Sequence, residues 1–126
     1  DFVKVQARDV ETFYSQEKLN AQYKSPFGET FRDYRNQLEL SKKDFLYLDE
    51  LCQKLNIKWF ASALDKISYE FLVNTNCYAI KLPSTISEYK DYLLYVADNC
   101  EKPIVISTGM TDINYEKWVI KKRITM

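Results

Sequence analysis

Four short apolar runs that each lead into a polar side chain limit what this chain can fold into: residues 2–6, 57–62, 78–84 and 103–109. A parallel strand buried on both faces reads almost wholly apolar. A Lys, Gln or Ser near its C-terminal end therefore calls for a reason, and in α/β barrels that end is where active sites are built. The chain is expected to carry one side of a catalytic or ligand site.

Side-chain alternation sorts the runs into two faces. Phe2, Lys4 and Gln6 oppose Val3 and Val5, and Lys58, Phe60 and Ser62 oppose Trp59 and Ala61. Likewise Ala79 and Lys81 oppose Tyr78 and Ile80, and Val105 and Ser107 oppose Ile104 and Ile106. One face is apolar throughout and suits helices; the other turns polar toward the C-terminal end.

Helical patterns separate the runs. Ser41 and Asp44 have the spacing of a capping box, followed by Phe45, Leu48, Cys52 and Leu55 on one face, with Asn56 as a stop. Ser68 is expected to cap a short helix to about Thr75, and Ser87 a longer one with Tyr92, Leu93, Val96, Ala97 and Cys100 as its buried stripe. Thr111 and Asp112 can start a last helix carrying Tyr115, Trp118 and Val119, and Lys121, Lys122 and Arg123 suit its C-terminal end. Residues 7–40 read as a long loop with helical turns, the length usual for a lid or binding loop. Strand–helix alternation implies parallel strands with right-handed crossovers. Two architectures fit: four units of a (β/α)8 barrel, or a small open doubly wound sheet. A whole barrel takes about 250 residues, so 126 would be half of one.

Lys+Arg and Asp+Glu are both 18, so no net field gathers nucleic acid or anionic lipid, and an anion must be held by a local cluster. No apolar segment approaches membrane-span length, so neither a nucleic-acid nor a membrane partner is expected. Cys52, Cys77 and Cys100 form no Cys-x-x-Cys pair, which suits reduced thiols in a cytoplasmic protein. Histidine is absent, removing the commonest general base and metal ligand. Because Asp1 opens directly into a strand, the chain is expected to be a piece of something longer.

In a barrel, Lys4, Gln6, Ser62, Lys81, Ser84, Ser107 and Thr108 converge at one rim. Two ammonium groups and several hydroxyls suit an anion bearing a phosphate and a carboxylate. Burying two unpartnered lysines is costly, which favours an anionic ligand; alternatively both snorkel to water from strand ends. Period and position do not choose between these.

The motifs Val3-Lys4-Val5-Gln6, Phe60-Ala61-Ser62-Ala63-Leu64-Asp65, Lys81-Leu82-Pro83-Ser84 and Pro103-Ile104-Val105-Ile106-Ser107-Thr108-Gly109-Met110 resemble, in order and spacing, the sialic acid synthase family, which includes legionaminate synthases. The resemblance runs from Asp1 to about Trp118. It implies a phosphoenolpyruvate-dependent synthase with a (β/α)8 barrel, of which residues 1–126 supply strands two to five. The acceptor would be an N-acetylated hexosamine such as N-acetylmannosamine, with Mn2+ or Mg2+ polarising its aldehyde. The resemblance assigns Lys4 and Lys81 to the phosphate and carboxylate, Ser62, Ser84 and Ser107 to phosphoenolpyruvate, and Gln6 to the sugar and metal side. It also implies a homodimeric parent with metal ligands and a C-terminal antifreeze-like domain outside this segment, which alone would not turn over.

Three departures from the family pattern matter: its first strand is absent, everything after its fifth strand is absent, and one position that bears on proton transfer differs. Two residues after Ser84 the family has an acidic residue, and here stands Ile86, which cannot transfer a proton. Either other acid–base groups serve, Glu88 being the nearest, or activity is lost. Two alternatives follow: another phosphoenolpyruvate-condensing barrel acting on arabinose or erythrose phosphates, whose second phosphate only Arg8, Arg32 and Arg35 could meet, or a non-catalytic half-barrel interaction module.

Overall fold

The computed structural model describes residues 1–122. From the N-terminus the chain runs β1 (Phe2–Ala7), α1 (Val10–Phe13), α2 (Gln16–Asn20), β2 (Gln22–Ser25), β3 (Gly28–Thr30), α3 (Phe31–Leu38) and α4 (Lys42–Lys54). It continues with β4 (Lys58–Ala63), α5 (Lys66–Leu72), β5 (Ile80–Leu82), a 3-10 turn (Ser84–Ile86), α6 (Lys90–Asn99), β6 (Ile104–Ile106) and α7 (Ile113–Lys121).

The main sheet has the order β1-β4-β5-β6 and is parallel throughout. Each strand is laid beside its predecessor, always in the same direction. A doubly wound sheet reverses direction and carries helices on both faces. Here the core forms on one face only, from Trp59, Ala61, Ala63, Ile80, Leu82 and Ile106 against Phe45, Cys52, Leu72, Leu93, Val96 and Val119 of the helices. One-way strand order with helices on one side is the arrangement of a partial (β/α)8 barrel. Phe2, Lys4, Gln6 and Val105 remain exposed on the other face.

Local chemistry sets the helix starts. Ser41 and Asp44 form the expected capping box on α4, Asp44 accepting from the Ser41 amide at 2.8 Å while Ser41 Oγ accepts from the Asp44 amide at 3.2 Å. Asn56 ends that helix region at φ 53°, which Asn tolerates better than most residues. Asp112 caps α7, and Tyr115 and Val119 are buried beneath it. The helix ends at Lys121; Arg123, expected in its basic tail, lies outside the described residues.

Several expectations are corrected. Asp65, not Ser68, caps α5, and Ser68 donates its amide to Asp65 at 2.8 Å. The carboxylate stands at the end of β4 and is the stronger acceptor, so the helix starts three residues early and ends at Leu72 rather than Thr75. Ser87 caps nothing: Pro83 starts the 3-10 turn at once, Ser87 falls at its C-terminal end, and α6 begins later without a side-chain cap. Leu55 is exposed beyond the end of α4 rather than on its buried face. Tyr78 precedes β5 and leaves the helix face, its ring 5.3 Å from that of Phe2.

Residues 7–40 are more ordered than a loop. β2 and β3 form an antiparallel hairpin around Pro26 and Phe27, and Ser25 Oγ accepts from the Phe27 amide at 3.2 Å. Gly28 sits at φ 148°, where a Cβ would overlap the Asp33 carboxylate. That carboxylate, with Thr30, makes a second capping box on α3. Leu19 is fully buried here, and Phe31 packs against Tyr14 at 5.0 Å and Tyr23 at 5.7 Å.

Asp49 is buried in α4 and accepts from Trp59 Nε1 at 2.8 Å and from the Asn76 amide and Nδ2, both at 3.1 Å. Substituting D49A strands three donors and is expected to cost at least about 2 kcal/mol, read from the urea midpoint of the intact protein.

Hydrogen bonds from the Ser41 hydroxyl and amide hold the Asp44 carboxyl below its ordinary range. A depressed folded-state pKa gives stability that is present above the unfolded carboxyl's titration and lost as pH falls through the folded value. D44N is therefore expected to flatten the loss of stability below about pH 4, measured by thermal melts across that range.

Candidate functional site

Strand pairing brings the polar residues together. In the register Gln6 faces Ser62, and Ser62 faces Lys81, so the three form one row across β1, β4 and β5. Paired residues in a parallel sheet project from the same face, and neighbouring strands lie about 4.8 Å apart, so the row spans roughly 10 Å between its outer Cα atoms. Lys4, two residues before Gln6, shares that face. The two lysines thus stand on the same side of the sheet, away from the helices.

Ser84 and Ser107 lie just beyond the C-terminal ends of β5 and β6. Ser107 donates its amide to the Leu82 carbonyl at 3.0 Å, extending the β5–β6 ladder by one rung. A Cβ on Gly109 would stand 3.4 Å from Ser84 Oγ, so the loops after the two strands meet closely. Thr108 is half-buried in the same loop, and its carbonyl accepts from the Thr111 amide at 3.2 Å.

Ser62 is the centre of the row and its most informative member. It is 1% exposed, and among the described residues its hydroxyl has no hydrogen-bond partner. A buried hydroxyl without a partner costs about 1–3 kcal/mol. A ligand oxygen between Gln6 and Lys81 would satisfy it only once the groups that cover the hydroxyl from solvent move aside.

Lower on the same face, toward the strand N-termini, the character changes. Phe2 packs on Phe60 at 6.1 Å between ring centroids and on Tyr78 at 5.3 Å, and Lys58 Nζ lies 4.6 Å from the Tyr78 ring centroid. The face is aromatic at one end and polar at the other.

The arginines are committed elsewhere. Arg32 donates to Glu11 at 2.7 Å, to Asn20 at 2.6 Å and to Gln16 at 3.0 Å. Arg8 and Arg35 share the Glu39 carboxylate, and Arg8 also lies 4.6 Å from the Phe13 ring centroid. The Arg8 contacts fasten residues 9–39 to the end of β1, Arg32 and Arg35 are paired within that segment, and the three do not form a free cluster for a second phosphate. Ile86 is fully buried in the core. Glu88 lines a groove with Lys90, Asp112 and Trp118 near the starts of α6 and α7, not the strand row.

Two supporting contacts have no local signal in the sequence. Tyr92 Oη, on α6, donates to the Ala63 carbonyl at 2.8 Å. Burial and the nearby Asp65 charge raise its pKa, so the phenol remains a donor. Asp65 ties the ends of β1 and β4 together, its Oδ2 accepting from the Asp9 amide at 2.7 Å.

Among the described residues no group of three or more His, Cys, Asp or Glu side chains is placed to hold a metal ion. The resemblance places the ligands of its divalent cation outside this segment, and the ammonium, amide and hydroxyl groups of the row do not by themselves form a site for one. No described helix is long and apolar enough to cross a membrane.

Removing the Ser62 hydroxyl should relieve a buried unpaired dipole. S62A is expected to leave the ligand-free protein as stable as wild type or more stable by about 1 kcal/mol, measured by chemical denaturation of the intact protein.

Known proteins bear on this geometry. The NeuB family profile matches residues 1–123. An N-acetylneuraminate-9-phosphate synthase of Drosophila melanogaster is 37% identical over 111 residues, covering 86% of this chain and 29% of that protein. An N,N'-diacetyllegionaminic acid synthase of Legionella pneumophila is 31% identical over 116 residues, covering 90% of this chain and 32% of that one. An N-acetylneuraminate-9-phosphate synthase of Mus musculus is 29% identical over 121 residues, covering 94% and 33%. The chain spans about a third of the length of these curated relatives.

Proposed function

The chain belongs to the NeuB family, and from that premise we propose that its parent protein is a phosphoenolpyruvate-dependent nonulosonic acid synthase, with residues 1–126 as an incomplete part of the barrel domain. The single observation that carries the reading is the Gln6–Ser62–Lys81 row, with Lys4 on its face and an unpartnered buried hydroxyl at its centre. The relatives named as synthases of N-acetylneuraminate 9-phosphate and of diacetyllegionaminic acid support the product class.

In this reading C3 of phosphoenolpyruvate bonds to the aldehyde carbon of an N-acetylated hexosamine such as N-acetylmannosamine, and the aldehyde oxygen takes up a proton. Water adds at C2, the C2–O bond to phosphorus breaks, and inorganic phosphate leaves with the bridging oxygen. Lys4 and Lys81 hold the carboxylate and phosphate as fixed cations. Their charges offset that of the ligand and stabilise the departing phosphate. Ser62, Ser84 and Ser107 offer hydroxyl donors to the same anion, and Gln6 borders the acceptor sugar. The divalent ion that the resemblance implies, Mn2+ or Mg2+, would supply Lewis-acid polarisation of the acceptor aldehyde and would be held by ligands outside residues 1–126. The parent works as a homodimer in the cytoplasm; the three free thiols Cys52, Cys77 and Cys100 agree with a reducing compartment.

Two measurements test this on the intact parent. Calorimetric titration with phosphoenolpyruvate should show affinity lost by at least about 100-fold in the K4A/K81A double variant, since each charged hydrogen bond contributes about 1.5–3 kcal/mol. Unchanged binding removes the site assignment. Turnover assays should show product with an N-acetylated hexosamine and none with arabinose 5-phosphate or erythrose 4-phosphate, matching the engagement of Arg8, Arg32 and Arg35 within the fold. The opposite preference would move the protein to the other synthase class.

A further inference from the structure

We propose that Asp65 is a positioning residue for the anion site: its carboxylate clasps the C-terminal ends of β1 and β4, so that Gln6 and Ser62 stay side by side. The inference rests on the anion-site reading above. Asp65 divides its two oxygens between two tasks. Oδ1 accepts from the Ser68 amide at 2.8 Å and caps α5, while Oδ2 accepts from the Asp9 amide at 2.7 Å, from a residue 56 positions away.

The other aspartate caps work locally. Asp9 accepts from Thr12 within α1, and Asp112 accepts from Tyr115 within α7. Only the Asp65 cap also reaches a different strand–helix unit among the described residues.

That second bond lies where it can act on the site. The β1–β4 ladder ends at the Ala7–Ala63 rung, one step above Gln6–Ser62. The Leu64 amide continues it by donating to the Ala7 carbonyl at 3.1 Å, and the Asp65–Asp9 bond closes it. Among the described residues β4 is the only strand paired with β1. Without the clasp the last rungs can fray, and Gln6 can shift relative to Ser62. Misplacement by about 1 Å can cost roughly 100-fold in a site built on geometry.

The test separates this role from helix capping. In the intact parent, D65S keeps a hydroxyl to cap α5 but cannot reach the Asp9 amide, and D65A loses both. The clasp predicts that D65S keeps a near wild-type melting temperature yet binds phosphoenolpyruvate about tenfold or more weakly, as D65A does. Wild-type affinity in D65S overturns the proposal, because capping alone then explains Asp65. A second pair keeps the question open to refutation if D65S does not fold. D9P removes the donating amide and is expected to weaken binding, while D9A retains it and is expected to bind as wild type. Equal affinities in D9P and D9A also overturn the clasp. Normal binding in K4A/K81A would instead remove the underlying site, whatever the Asp65 variants do.

Discussion

Neighbouring strands of a parallel sheet pair residue for residue, and side chains alternate along each strand. Together these two facts fix the face of every side chain in the sheet once one strand is placed. In this chain they divide the sheet cleanly. Trp59, Ala61, Ala63, Ile80, Leu82 and Ile106 go to the helices and make the core, while Lys4, Gln6, Phe60, Ser62, Lys81 and Val105 go to the other face. A slip of one residue would exchange the two sets, burying ammonium groups under helices and exposing the core. The apolar face thereby protects the arrangement of the polar one.

Carboxylates fasten the connections that the sheet leaves loose. Asp49 joins α4 to β4 and to the loop before β5, Glu39 joins α3 to the end of β1, and Asp65 joins β1 to β4. Each has at least two donors, so little of its charge is left uncompensated on burial. The cations serve in part as the partners of these acids. Arg8 and Arg35 share Glu39, which explains why residues 9–39, with so small a core of their own, still pack in one place. Lys4 and Lys81 stand apart from these acids, on the side of the sheet away from the helices.

Much of this was legible in the residues alone. The four strands, the Ser41–Asp44 box, the Asn56 stop and the Asp112 cap rest on signals within a few positions, and alternation alone assigned Lys4, Gln6, Ser62 and Lys81 to one side. The Ser68 cap expected from spacing gives way to Asp65, which stands at the end of β4 and so starts the helix earlier. Tyr78 continues the apolar period but precedes β5, and its ring turns onto Phe2 although its amide donates to the Trp59 carbonyl at 2.8 Å. The hairpin at residues 22–30 carries no such signal, because its strands are short and mostly polar and show no apolar alternation. Contacts such as Tyr92 to Ala63 join residues 29 positions apart, and no local pattern announces them.

Ile86 has no solvent exposure and belongs to the same cluster as Leu82, Leu93 and Val96. Its methyl groups now fill volume on which the packing of α6 depends. An acid at this position would place a carboxylate among hydrocarbon, and the fold would resist it by favouring protonation or by opening. The position is therefore closed to proton-transfer chemistry as this core is packed, and a proton donor must stand at another address.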